Sequence, residues 1–208
     1  MTRGKFITLE GGEGTGKSTQ AARLVARLAE RGIDVVHPRE PGGSPGAEAI
    51  RGLVVSGAAE RWSPRTELLL MFAARSDHLE RTILPALEAG RWVVCDRFAD
   101  SSRAYQGNGG GASTDLIEAL DRHVVGADQP DLTLIFDLPV EVGLERALER
   151  SAAETRFESK GLEFHRRLRD GFLSVAAQHT ERCRIIDATG EPDAVSERVW
   201  RAVEPILP

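Results

Sequence analysis

Several residue types are scarce in this chain, and each scarcity excludes a class of protein. Only two of the 208 residues are cysteine, Cys95 and Cys183, and neither belongs to a CxxC or Cys/His pattern. This spacing favours two buried, reduced thiols over a disulfide or a metal site. The longest apolar run, residues 68–74, is too short to cross a bilayer, and no signal peptide is apparent. We therefore expect a cytoplasmic chain that has no membrane segment.

Basic charge is also in short supply. Lysine and arginine total 27 against 32 acidic residues, which gives a net charge of −5. This balance argues against a generally basic nucleic-acid binder, although a local basic site can still exist. A chain that is 41% hydrophobic and 28% charged has an ordinary folded composition, so we predict one domain over residues 1–208.

Apolar runs alternate with helical patterns along the chain. The clearest runs are residues 6–9, 92–95 and 132–136, with weaker ones at 33–36 and 183–186. Continuous rather than alternating hydrophobicity is typical of parallel strands that are covered on both faces. Helical patterns occupy residues 17–31, 67–88, 141–150, 163–178 and 192–203. The alternation predicts a doubly wound α/β fold with about five parallel strands, and the polar residues around 146–161 are predicted to form a mobile flap.

Residues 11–18, Gly-Gly-Glu-Gly-Thr-Gly-Lys-Ser, match the phosphate-loop pattern G-x-x-x-x-G-K-[ST] between a strand-like run and a helix. Glycines let backbone N–H groups converge on an anion, and the helix N-terminus adds its dipole. Lys17 can then neutralise phosphate charge, and the Ser18 hydroxyl can bind Mg²⁺. The pattern predicts a nucleoside triphosphate site formed by Gly11, Gly12, Glu13, Gly14, Thr15, Gly16, Lys17, Ser18 and Thr19.

A second phosphate site is predicted where the run at 92–95 ends. Asp96 can hold Mg²⁺ or its waters, or it can cap a helix, while Arg97 can bind a second phosphate or form a surface ion pair. Guanine-specific GTPases usually carry an Asn-Lys-x-Asp element, but the one asparagine here, Asn108, precedes Gly109. The pattern therefore favours a small kinase over a GTPase.

Four further segments, in this order, resemble those of the thymidylate kinase family. They are Arg39-Glu40-Pro41-Gly42-Gly43, Leu70-Met71-Phe72-Ala73-Ala74-Arg75, Asp96-Arg97-Phe98 with Ser101-Ser102, and Ala104-Tyr105-Gln106-Gly107. Together with the phosphate loop they extend over nearly the whole chain. The resemblance implies a phosphate-loop kinase fold and phosphorylation of dTMP to dTDP for dTTP synthesis. It also implies ATP as donor, Mg²⁺ as cofactor and a homodimer, whose interface the helix at 67–88 could supply.

The resemblance also implies how the acceptor is bound. Phe72 stacks on the thymine ring and Arg75, three residues on and on the same helix face, donates to a base carbonyl. Without the resemblance, the apolar run around Phe72 would place it in the core. Arg97 holds the 5′-phosphate of the acceptor.

Four more positions have roles by the same resemblance. Ser102 and Gln106 contact the base and nearby polar groups. Tyr105 lies against the deoxyribose and disfavours a 2′-hydroxyl, with simple packing as the alternative. Glu13 lies near the sugar 3′-hydroxyl and the phosphate, a position where a carboxylate costs free energy unless it is paired.

Charge neutralisation during transfer is expected from Lys17, Arg97 and flap arginines, because this phosphate loop contains no arginine. By the resemblance, Arg150 and Arg156 are the flap candidates. Residues 155–158, Thr-Arg-Phe-Glu, stand where Asp-Arg-x-Glu is common in the family, so which arginine acts stays open. No general base is assigned, because the second pKa of a phosphate monoester is about 6.

Two other functions stay open on the sequence alone. One is a kinase for a different nucleoside or nucleotide, with another base in the pocket of Phe72 and Arg75. The other is a non-catalytic nucleotide-binding switch, which would leave Asp96, Arg97 and Tyr105 unexplained.

Overall fold

A computed structural model describes residues 2–58, 60–149, 157 and 160–208. Its centre is a five-stranded, all-parallel sheet with the strand order β2-β3-β1-β4-β5. The strands are β1 (Phe6–Gly11), β2 (Val35–Val36), β3 (Trp92–Asp96), β4 (Leu132–Asp137) and β5 (Cys183–Asp187). The predicted α/β class and number of strands are confirmed, although β2 is only two residues long.

The described helices are α1 (Lys17–Ala29), α2 (Pro45–Val54), α3 (Pro64–His78), α4 (Leu84–Glu88), α5 (Ala99–Ser102), α6 (Thr114–Val124), α7 (Val140–Glu149), α8 (Leu162–Gln178) and α9 (Pro192–Val203). Two π-helical turns, Leu79–Ile83 and Arg103–Gly109, follow α3 and α5. A final 3₁₀ turn spans Glu204–Ile206.

The helical pattern at 67–88 proves to be two helices joined by a π turn. Pro85, which lacks a backbone N–H, lies in the first turn of α4, directly after the π turn. The sequence patterns above do not predict α2 or α6. The signal for α2 was present, because Ser44 caps the helix by accepting from the Ala47 N–H, and Pro45 follows at the first position.

Both faces of the sheet are covered, as the continuous hydrophobicity of its strands predicts. Ile7, Leu9, Leu134 and Phe136 face α1 and α9 within one buried cluster, whose members on those helices include Leu24, Leu28, Val199 and Trp200. Alternate residues of the same strands, such as Phe6 and Ile135, face the opposite layer of helices. Cys95 and Cys183 are buried free thiols, as predicted.

The carboxyl ends of the three central strands position the site. β1 leads into the phosphate loop, β3 into Arg97 and β4 into α7. The phosphate loop lies directly against α7, because a Cβ built on Gly14 would be 1.8 Å from the Gly143 carbonyl oxygen. Within the described ranges, no helix is long and apolar enough to span a membrane. Arg150, Arg156 and most of the predicted flap at 146–161 lie outside the described residues.

Candidate active site

The phosphate loop carries its lysine folded over its own backbone. The loop enters α1 through Gly16, whose φ of 87° is left-handed. Lys17 Nζ donates to the Gly12 carbonyl at 2.7 Å and to Thr15 Oγ1 at 3.2 Å. Burial and the charge of Arg97 lower the pKa of Lys17 to about 8, although Glu13 and Asp96 act in the opposite direction. An anion bound here would supply the negative charge that this buried ammonium favours.

The two predicted metal ligands are neighbours in space. Ser18, in the first turn of α1, donates its hydroxyl to Asp96 Oδ2 at 2.6 Å, at the end of β3. Asp96 does not cap a helix, since α5 begins at Ala99 and has no side-chain cap. A hydroxyl and a carboxylate are hard oxygen donors, and Mg²⁺ typically takes one or two of these beside phosphates and waters. The donor set therefore fits Mg²⁺ held together with a nucleotide.

No all-protein metal cage competes with that interpretation. In the parts of the chain that the structure describes, no group of three or more His, Cys, Asp or Glu side chains could hold a metal ion. A metal at this edge of the sheet would therefore depend on ligands that a substrate provides.

Arg97 lies between the phosphate loop and the turn that follows β3. Its backbone is left-handed, with a φ of 70°. Its guanidinium donates to the Gly11 carbonyl at 2.9 Å and to Glu13 Oε1 at 3.2 Å, and it lies 4.8 Å from the centre of the Tyr105 ring. Arg97 does form an ion pair, with Glu13, but its side chain is 18% exposed and is held against the loop rather than on the open surface.

Glu13 is an ionised carboxylate surrounded by donors. Burial by itself would raise its pKa, but Arg97, Lys17 and a hydrogen bond from Tyr105 together lower it. The Tyr105 hydroxyl donates to Glu13 Oε1 at 2.5 Å. The Tyr105 ring also packs against Phe157, Phe164 and Phe172. Tyr105 therefore packs in an aromatic cluster, as one alternative predicts, and its contact with a deoxyribose stays a prediction.

Glu10 is a buried carboxylate to which sequence analysis assigned no role. It accepts hydrogen bonds from the Phe98 N–H at 2.8 Å, the Ser101 N–H at 3.2 Å and the Ser101 hydroxyl at 2.6 Å. Burial and the nearby charge of Asp100 raise its pKa to about 7. Its signal in the sequence was a charged residue inside an apolar strand, directly before the glycines. Glu10 thus holds the backbone that follows Arg97, at Phe98 and Ser101, against β1.

A cavity of about 200 Å³ opens beside this cluster. Six of the seven residues predicted to bind the acceptor line it, namely Glu13, Arg75, Arg97, Ser102, Tyr105 and Gln106. The remaining lining residues are Glu40, Pro41, Arg51, Val55, Met71, Phe98, Ser101 and Phe157. The cavity thus begins beside the phosphate loop, where Glu13 and the neighbouring Arg97 line it, and extends towards Arg75.

Arg75 is held at the far end of the cavity by three hydrogen bonds. Its Nε donates to Glu40 Oε2 at 2.9 Å, Nη1 to Ser102 Oγ at 3.1 Å and Nη2 to the Phe98 carbonyl at 2.9 Å. A guanidinium has five N–H donors. Described residues accept from three of them, so two stay available for a ligand.

Phe72, the seventh predicted residue, is not among the residues that line this cavity. It is 2% exposed and packs with Leu68 and Ile117. The guanidinium of Arg75 lies 4.6 Å from its ring centre and 5.3 Å from that of Phe98. In this structure Phe72 therefore contacts the side chain that faces the cavity, and its stacking on a base stays a prediction.

Fold and site together define a phosphate-loop kinase: a parallel sheet carries a triphosphate loop, and an arginine-lined cavity adjoins that loop. The sequence profile of the family described as thymidylate kinase matches residues 9–199. A thymidylate kinase of Caulobacter vibrioides is 62% identical over 199 residues, covering 96% of this chain and 95% of its own. One from Bradyrhizobium sp. strain ORS 278 is 54% identical over 203 residues, covering 97% and 90%.

A solved structure agrees with these sequence relatives. The crystal structure of a thymidylate kinase from Ehrlichia chaffeensis superposes with a TM-score of 0.80 at 33% identity, covering 97% of this chain and 99% of that one. The chain belongs to the thymidylate kinase family.

Proposed function

We propose that this protein transfers the γ-phosphoryl group of ATP to the 5′-phosphate of dTMP, with the triphosphate in the loop at 11–19 and dTMP in the adjoining cavity. The observation that carries this proposal is the position of Arg97. Its guanidinium bonds the phosphate loop at Gly11 and also lines the cavity. One cationic side chain therefore links the phosphate loop to the cavity that adjoins it.

The residues of this chain orient the two substrates and neutralise the charge of their phosphates. Correct orientation of two reactants can be worth roughly 7–11 kcal/mol. Lys17 binds the β- and γ-phosphates, and Arg97 binds the acceptor phosphate. Glu13 and Tyr105, joined by their hydrogen bond, contact the sugar. An acceptor phosphate is a sufficient nucleophile near neutral pH, so no side chain is assigned as a base.

Charge on the transferring group is neutralised from two directions. Mg²⁺, when bound, would neutralise phosphate charge, and Ser18 and Asp96 are the residues that would hold it. Arg150 and Arg156, which lie outside the described residues, are the proposed flap arginines. Both proposals rest on residue chemistry and on the family resemblance.

The base subsite is formed by Arg75, Ser102 and Gln106. Gln106 is itself oriented by Glu67, which accepts from its Nε2 at 3.0 Å. With three of its donors already used, the Arg75 guanidinium is fixed before a ligand arrives. A base carbonyl that accepts from the two other donors would be recognised without rearrangement.

Two further parts of the proposal concern location and assembly. We propose a cytoplasmic homodimer that uses α3, where Leu69 is a large apolar side chain that is 44% exposed. Light scattering at micromolar concentration tests this assembly, and a Leu69→Glu variant that is as dimeric as the parent would place the interface elsewhere.

ADP release with MgATP tests the function against dTMP, dUMP, UMP, CMP, AMP and GMP. We expect turnover with dTMP, weaker turnover with dUMP and little with the rest. Preference for another monophosphate would keep the phosphate chemistry and reject Arg75 and Tyr105 as readers of thymidine. ATP binding without turnover on any acceptor would indicate a nucleotide-binding switch instead.

A further inference from the structure

A buried histidine stands behind the base subsite. His78, the last residue of α3, is 0% exposed and does not line the cavity. Its Nδ1 lies 3.0 Å from Glu40 Oε1. The other oxygen of the same carboxylate, Oε2, accepts from Arg75 Nε at 2.9 Å. His78, Glu40 and Arg75 therefore form a linear chain of contacts that ends at the cavity.

The surroundings of His78 select one tautomer. Its Nε2 finds no hydrogen-bond partner among the residues that the structure describes. The backbone of Gly43 closes that edge of the ring, since a Cβ built on Gly43 would be 2.3 Å from Nε2. A proton on Nε2 would be buried without an acceptor and would leave the Nδ1 lone pair facing a carboxylate, which is the more costly arrangement. The ring therefore donates from Nδ1 to Glu40.

Glu40 cannot hold Arg75 in one orientation through a single contact. Glu40 is 5% exposed, so without His78 its Oε1 would be a buried oxygen that has no donor. The free-energy cost of that arrangement would favour rotation of the Glu40 carboxylate. Rotation would move Oε2 away from Arg75 Nε. Arg75 would then keep only its hydrogen bonds to Ser102 and to the Phe98 carbonyl, and its guanidinium would be held less firmly.

We propose that His78 is a positioning residue for base recognition, because it fixes the Glu40 carboxylate that orients Arg75. This proposal rests on the assignment of Arg75 to the base subsite made above. His78 is expected to set the KM for dTMP and the rejection of bases that carry an amino group in place of a carbonyl. It is not expected to alter the phosphate chemistry at Lys17.

Two substitutions of His78 test the proposal. His78→Leu keeps the volume and removes the donor, whereas His78→Asn places an amide N–H near the position of Nδ1. We expect His78→Leu to raise the KM for dTMP about tenfold, the factor that corresponds to ~1.4 kcal/mol. We expect kcat and the KM for ATP to stay within about twofold, and His78→Asn to restore most of the dTMP affinity.

Addition of dCMP to the acceptor panel supplies an internal control. dTMP and dUMP carry the same base carbonyls, so their ratio of kcat/KM should not change in His78→Leu. dCMP carries an amino group, so discrimination against dCMP should fall. His123→Leu, at an exposed histidine on α6, is the matched surface control and should leave every constant unchanged.

A double-mutant cycle separates this proposal from the proposed function. Arg75→Met should raise the KM for dTMP, and adding His78→Leu to it should have no further effect. If Arg75→Met leaves the KM unchanged, the base assignment fails and this proposal fails with it. If Arg75→Met raises the KM but His78→Leu alone does not, only the positioning role of His78 is overturned.

Loss of stability would not imitate the expected result. Thermal unfolding of each variant is measured beside its kinetics. If kcat falls only in proportion to the fraction of folded protein and the KM for dTMP is unchanged, the proposal is contradicted. If His78→Leu does not fold, His78→Gln replaces it, because its amide reaches the Nε2 position and cannot donate to Glu40. A His78→Gln variant with the parent KM for dTMP would overturn the proposal.

Discussion

Replacement of Arg97 provides the sharpest test of the site. In Arg97→Ala, the Gly11 carbonyl loses a donor and the Glu13 carboxylate loses an ion-pair partner 3.2 Å away. Hydrogen bonds to charged groups contribute about 1.5–3 kcal/mol each. An acceptor phosphate bound by two such bonds would therefore lose about 3–6 kcal/mol. This corresponds to a decrease of about 10²–10⁴ in kcat/KM for dTMP.

The donor site should be spared in the same variant. The charge of Arg97 is one of the causes that lower the pKa of Lys17, so its removal makes the lysine easier to keep protonated. We expect the KM for ATP to change by less than about threefold. Coupled ADP release over a matrix of dTMP and ATP concentrations separates the two effects. A parent-like kcat/KM for dTMP would refute the assignment of Arg97 to the acceptor phosphate.

Backbone strain at Arg97 gives an independent check. A left-handed conformation costs a non-glycine residue about 1–2 kcal/mol, and the φ of Arg97 is 70°. Arg97→Gly should therefore be about 1 kcal/mol more stable to unfolding than Arg97→Ala and equally poor with dTMP. Recovery of dTMP activity in the glycine variant would show that strain caused the defect. Arg91→Ala is the matched control, because its ion pair with Asp34 is exposed at 44% and 67%.

Three other predictions follow from burial and close approach. The pKa of Glu10 is raised to about 7, above its ordinary value of 4.5, so its contribution to stability is full below pH ~4.5 and is lost as pH rises through ~7. Urea unfolding should therefore show Glu10→Gln gaining a few kcal/mol relative to the parent between pH 5 and 8, and parallel pH profiles would contradict this. The pKa of Lys17 is lowered to about 8, so binding of ATP at pH 8.5 should be accompanied by uptake of protons. Calorimetry in two buffers of different ionisation enthalpy measures this uptake, and its absence would refute the prediction. Gly14→Ala places a Cβ 1.8 Å from the Gly143 carbonyl oxygen, whereas Gly32 has a similar φ and open space around it. Gly14→Ala should therefore lose clearly more stability than the ~1 kcal/mol expected for Gly32→Ala. Equal losses would show that the phosphate loop moves away from α7 at little cost.

The local patterns of the chain were enough to predict its central sheet. β1, β3 and β4 are buried on both faces, so their sequences read as apolar runs and were found at nearly their true bounds. β2 and β5 gave weaker signals because β2 has two half-buried residues and β5 has three exposed ones. α2 was missed because its cap lies inside a segment rich in proline and glycine.

The proposed acceptor residues were predicted as a set but not as an arrangement. Arg75, Ser102 and Gln106 line the cavity, while Phe72 packs beneath the Arg75 guanidinium rather than on the cavity wall. No short-range pattern could distinguish these outcomes. The neighbours that decide the orientation of Phe72, Ile117 among them, come from distant parts of the chain.

The phosphate loop could be predicted from the sequence alone, because its pattern consists of eight consecutive residues whose backbone forms the proposed anion site. The Arg75, Glu40 and His78 chain was decided only by the tertiary structure. Glu40 and His78 are 38 residues apart, and they meet because α3 packs against the segment that follows β2. Burial of Glu40 and His78 costs less free energy when they meet each other and Arg75, since the Glu40 carboxylate would otherwise be buried without donors and the His78 ring without a partner.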